Sequence, residues 1–130
     1  MKNQIELLTG KVIGCAIEVH RNLGPGLLES VYQICLTEEL AMAGIQARTQ
    51  VPIPINYKGQ QLDKEFVADF LIEDMLVVEI KAVEIILPVH EVQLVTYLKL
   101  AEKNIGLLIN FNVPVLTAGI RRKVHDLQEN

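Results

Sequence analysis

Two acids and an amine lie on neighbouring stretches that otherwise read as core. "FVADFLI" carries Asp69, and "MLVVEIKAVEIIL", from Met75 to Leu87, carries Glu79 and Lys81 separated only by Ile80. An ordinary core strand has no need of such charges. In strand geometry Leu76, Val78, Ile80 and Ala82 point one way while Val77, Glu79 and Lys81 point the other. On the preceding strand Phe66, Ala68, Phe70 and Ile72 share a face, and Val67, Asp69 and Leu71 share its opposite. A three-residue turn at Glu73, Asp74 and Met75 aligns the apolar faces of both strands and sets Asp69 opposite Glu79. A two-residue turn would send the charges to different faces, so the longer turn, or an equivalent bulge, is the expected register.

Carboxylates about 4 Å apart repel by roughly 4 kcal/mol at an effective dielectric of about 20, a sizeable part of a domain's net stability of about 5–15 kcal/mol. Something must offset that repulsion. Lys81 can neutralise one charge; a hard divalent cation, magnesium or manganese, can be held by both carboxylates at once. From the strands alone two readings stay open: a metal site, or a cross-strand Asp/Glu/Lys salt-bridge network that does no chemistry.

The elements that must position these groups follow from periodicity. Ile5, Leu8, Val12, Ala16 and Val19 recur at helical spacing and predict a first helix that stops near Asn22 to Gly24, in "NLGPG". A second helix runs from about Gly26 to Gly44 with Leu28, Val31, Cys35, Leu36 and Leu40 toward the core. From Ile45 to Tyr57 the period becomes two, with Pro52 and Pro54 on the polar face, which marks a sheet edge. Lys58-Gly59 makes a short turn into a second strand, Gln60 to Ile72. After the third strand, His90 to Glu102 returns to helical spacing, with Val92, Val95, Leu98 and Leu100 among its apolar residues. "IGLLINF", Ile105 to Phe111, reads as a covered central strand, and Val115 to Arg122 adds a further candidate strand. The expected fold is α/β (α+β), one domain over residues 1–130, with a central mixed sheet flanked by helices and the third helix as a crossover.

Composition narrows the classes. The chain has 130 residues, 50% of them hydrophobic, enough for one core without disulfides. Cys15 and Cys35 stand in helical patterns with no metal-binding spacing and read as reduced packing thiols. Acidic Glu6 interrupts the opening apolar stretch, so neither a signal peptide nor a membrane span is expected, and a cytoplasmic location follows by default. With 12 Lys+Arg against 16 Asp+Glu, the chain would not coat nucleic acid non-specifically. Arg121, Arg122 and Lys123 form the one basic cluster in the sequence and read as a solvated strand end.

The D-x(n)-E-x-K arrangement of Asp69, Glu79 and Lys81 resembles the signature of the PD-(D/E)XK nuclease superfamily. "GLLESVY", Gly26 to Tyr32, is similar to the motif that names the GxxExxY family, and "YKG", "VEIKAV", "QLVTYLK" and "GLLINF" follow in that family's order. The resemblance covers nearly the whole chain and implies a restriction-endonuclease-like core and magnesium- or manganese-dependent hydrolysis of nucleic acid phosphodiesters. Residue by residue, it implies Asp69, Glu79 and the Ile80 carbonyl as metal ligands, with Glu29 as the helical acid completing the set. It implies Lys81 beside the attacking water, and Gln93 and Tyr97 as the Q-x-x-x-Y pair of the following helix. Ala68 stands where the superfamily's motif has proline. His90, at the helix start, reads as a cap. The implied partner is nucleic acid, DNA ahead of RNA; the proline-bearing edge and high aliphatic content leave room for a homodimer. The competing expectation is a non-catalytic nuclease-fold binding or assembly module.

Overall fold

The computed structural model describes residues 2–126. Helix α1 (Lys2–Leu23) turns through a glycine corner into α2 (Glu29–Met42). The long hairpin β1 (Ala47–Tyr57) and β2 (Gln60–Ile72) follows, then β3 (Leu76–Lys81), α3 (Pro88–Ala101), β4 (Ile105–Asn110), a 3-10 turn (Leu116–Gly119) and β5 (Ile120–Val124). The five strands form one sheet in the order β1-β2-β3-β4-β5. β3 and β4 are parallel and the other neighbours antiparallel, so α3 is the crossover that the helical period predicts. β1 is an edge, as Pro52 and Pro54 require.

Helices α1 and α2 cover one face of the sheet. Val12, Ala16, Tyr32, Leu36 and Leu40 pack there against Phe70, Ile72, Leu76, Val78, Ile80 and Leu107. α3 covers the other face, where Leu94, Tyr97 and Leu98 pack with Leu71, Val77 and Leu108. Burial of each such side chain contributes about 1.5–3 kcal/mol. β4 is buried along its whole length because both layers close over it.

Three sequence expectations change. Leu28 precedes α2 and is exposed; the helix buries Leu36 and Leu40 as expected and adds Tyr32, while Val31 and Cys35 are half-buried. In α3, which starts at Pro88, Val92 is exposed and Leu98 is buried as expected, with Leu94 and Tyr97 completing the core stripe, because Val92 lies on the opposite side of the helix from that stripe. The apolar residues of β2 also do not share one face. Phe70 and Ile72 pack under α1 and α2, whereas Ala68 and Phe66 pack on the α3 side. β1 makes the same change between Ala47 and Val51, so the pairing register is unbroken across it: Thr49 faces Phe70 and Val51 faces Ala68. Gln50, in the left-handed region at φ 50°, supplies the local turn that β1 needs to follow β2 across the sheet.

Candidate active site

Asp69 sits where this change of face occurs. The β2–β3 ladder pairs Ile72 with Leu76, Leu71 with Val77 and Phe70 with Val78 across the three-residue turn at Glu73, Asp74 and Met75. That is the register expected from the apolar pattern, and its next step brings Asp69 to Glu79. There the side chains take over. The Asp69 N–H donates to Glu79 Oε2 at 2.7 Å, and the Ile80 N–H donates to Asp69 Oδ2 at 2.8 Å. Each carboxylate thus satisfies a backbone donor on the opposite strand with one oxygen.

The pair is poorly solvated. Burial raises the Asp69 pKa, as do the charges of Glu29 and, in the reverse direction, the Ile80 N–H, Lys81 and Gln50 draw it down. Burial and then the Asp69 charge push Glu79 up to about 8, against the pull of the Asp69 N–H and Lys81. Without metal, burial and the Asp69 charge therefore favour the protonated form of Glu79 near neutral pH. Lys81 acts on both from a distance, since among the described residues neither carboxylate forms an ion pair. A cross-strand salt-bridge network is absent there.

Tyr97, on the same side of the sheet, has its hydroxyl pKa raised by burial and by the charges of Glu79 and Asp69, and its ring lies 5.1 Å from that of Phe66. Gln93, one turn earlier in α3, is half-buried and makes no hydrogen bond to either carboxylate. His90 is a cap: its Nδ1 accepts the Leu87 N–H at 3.0 Å. Arg122 pairs with Glu6, and Lys123 with Glu91, so the basic cluster at the end of the sheet ties β5 to α1 and α3.

Glu29 opens α2, and the turn before it explains the spacing of "GLLESVY". Gly26 takes φ 93°, a conformation that favours glycine. Tyr32, fully buried and stacked on Phe111 at 4.5 Å, donates its hydroxyl to the Gly24 carbonyl at 2.7 Å and accepts the Leu27 N–H at 3.2 Å. Glycine makes the corner, tyrosine locks it, and the glutamate between them is delivered to the helix start.

The carbonyl of Lys81 accepts the Phe111 N–H of the β4 side at 2.9 Å. Successive backbone groups of a strand alternate, so the Ile80 carbonyl lies on the β2 edge with its N–H, beyond the last laddered pair. Just past Lys81, buried Asn110 grips the departing chain: Oδ1 accepts the Val83 N–H at 3.0 Å and Nδ2 donates to the Val83 carbonyl at 2.9 Å. A side-chain amide here continues the β3–β4 ladder by imitating a peptide.

The sequence model of the PD-(D/E)XK nuclease superfamily matches residues 6–123. The chain belongs to the PD-(D/E)XK nuclease superfamily. The five-stranded mixed sheet with its flanking helices fits that fold. The crystal structure of SSO0001 is similar, with a TM-score of 0.58 and 24% identity over 76% of this chain and 50% of that one. This chain therefore spans half the length of that protein, and the likeness is one of fold. No curated protein matches the sequence.

PD-(D/E)XK nucleases generally use divalent metals, and the donor set can be tested against that need. Buried Glu79 and half-buried Asp69, both with raised pKa values, and a peptide carbonyl turned to the same edge are hard oxygen donors whose charged forms are poorly solvated. They fit a hard dication. Glu29 influences both carboxylates, yet among the described residues no three or more His, Cys, Asp or Glu side chains group closely enough to hold a metal ion. Ligation within this set would fall to Asp69, Glu79 and backbone oxygen, with water completing the shell. Among the described residues no helix is long and apolar enough to cross a membrane.

Gln50 is the site residue that sequence reasoning misses. From the Lys58-Gly59 turn, where Tyr57 faces Gln60, the register would place Gln50 opposite Val67. An irregularity between Pro54 and Asn56 shifts the pairing by two residues and sets it opposite Asp69. The two prolines are the one sequence signal for that shift.

Proposed function

We propose that the chain is a magnesium- or manganese-dependent nuclease of the GxxExxY type, a single domain over residues 1–130 that hydrolyses nucleic acid phosphodiester bonds, DNA ahead of RNA. The observation that carries this reading is the reciprocal clasp of Asp69 and Glu79, with Lys81 on the same face of β3 and free of an ion pair to either acid. Asp69, Glu79 and the Ile80 carbonyl would hold the metal, and Glu29 would join them through water or on substrate binding. A bound dication supplies Lewis acidity toward phosphoryl oxygen and a more acidic water. Lys81 then needs only hydrogen-bond reach to orient that water and offset phosphate charge. Glu79, neutral at pH 7 without metal, gives up its proton as the site fills. Tyr97, whose hydroxyl feels both carboxylates, and Gln93, one turn earlier on α3, would position a phosphate.

The test is cleavage of labelled single- and double-stranded DNA and RNA in magnesium or manganese by the unmutated protein, Lys81→Ala and Asp69→Asn. Activity should disappear in both variants. Cleavage persisting in both would place the activity elsewhere. The second reading, a non-catalytic binding or assembly module, is favoured by one observation: among the described residues no third acid closes on Asp69 and Glu79. Manganese binding that depends on Asp69, without cleavage of any substrate, would select it.

A further inference from the structure

The Asp69 carboxylate accepts the Ile80 N–H from the β3 side, and an exposed glutamine stands on its β1 side. Gln50 faces Asp69 across the β1–β2 hairpin, between the pairs Thr49–Phe70 and Val51–Ala68. It is one of the few non-glycine residues with a left-handed backbone, at φ 50°. A long side chain in that conformation is less favourable than glycine, so its presence within a strand needs a reason. Its Nε2 donates to Gln33 Oε1 at 2.9 Å, and Gln33 lies one helical turn after Glu29 on α2. The Gln50 side-chain amide also draws the Asp69 pKa down, so it acts on that carboxylate as well.

We propose that Gln50 is a positioning residue for Asp69, linking the strand that presents this carboxylate to the helix that begins with Glu29. It holds the carboxylate from the β1 side, opposite the Ile80 N–H that holds it from the β3 side. It also sets the distance between Glu29 and the Asp69–Glu79 pair, because Gln33 and Glu29 move as one rigid turn. The inference deepens the nuclease reading and rests on it for its metal arm alone.

Gln50→Gly separates positioning from folding. Glycine accepts the left-handed backbone, so the melting temperature should stay within about 3 °C of the unmutated protein, while the side-chain link is lost. Without it the Asp69 carboxylate is less fixed, and the Ile80 amide should exchange with solvent roughly fivefold faster or more, with the Val78 amide unchanged. Manganese affinity should fall by about fivefold or more on the same grounds. Gln33→Ala, which leaves the hairpin backbone untouched, should move the Ile80 amide and manganese affinity in the same direction. Unmutated values for both readouts in both variants overturn the proposal. If the unmutated protein binds no manganese, the metal reading fails, and the Ile80 amide by itself decides for or against Gln50.

Discussion

At the scale of single residues, the site stores unfavourable electrostatics. Glu79 has its pKa raised from 4.5 to about 8, so in the absence of metal its neutral form is favoured by folding. The sign follows: that contribution is fully present below about pH 4.5 and is lost as pH rises through about 8. Metal-free thermal stability should therefore fall over this window, and Glu79→Gln should flatten the fall; a melting series in chelator at pH 5 to pH 9 checks it. Manganese affinity should run the other way, rising up to about tenfold per pH unit toward pH 8 with one proton released, measurable by calorimetry in buffers of different ionisation enthalpy. Asp69→Asn keeps an oxygen for the Ile80 N–H while removing a charge. It should raise the metal-free melting temperature by a few degrees and abolish stabilisation by added manganese. Lower metal-free stability would revive the salt-bridge alternative.

At the scale of elements, what positions the chemistry is largely side chains mending backbone where regular structure ends. Tyr32 closes the corner before Glu29, and Asn110 continues the ladder past Lys81. Tyr32→Phe removes two hydrogen bonds from a buried group and should cost about 1–3 kcal/mol, read from denaturant unfolding. Gly119→Ala should cost more than a typical surface change, because a Cβ there would come within 2.2 Å of the Asn110 carbonyl oxygen. These elements also mark how far the sequence could be read. The three-residue turn was legible because only one register aligns Phe70, Ile72, Leu76 and Val78, and it brings Asp69 to Glu79. The change of face at Ala68 and Gln50 was not, because neither glycine nor proline marks it and period two runs straight through. Asn110 was hidden in an apolar run whose last polar residue reads as a strand end.

At the scale of the whole molecule, charge and exposed apolar surface set the remaining expectations. A net charge of −4 gives no general pull toward phosphate, so on the proposed nuclease reading recognition would be local to Lys81 and its surroundings. Binding to nucleic acid should accordingly show a shallow salt dependence, measurable by titration at several ionic strengths. Exposed aliphatic residues follow β3 and continue into the first turns of α3, where Ile85, Leu87, Val89 and Val92 lie open. Light scattering at micromolar concentration tests the homodimer that such surface leaves room for, and a monomeric mass rules it out.

The Asp69–Glu79 clasp makes the acids structural stitches as well as candidate ligands. Alanine at either position would orphan a main-chain donor and unpick the end of the hairpin along with whatever chemistry occurs there. A silent alanine enzyme would be uninterpretable, and only the amide isosteres can tell a dead catalyst from a frayed sheet.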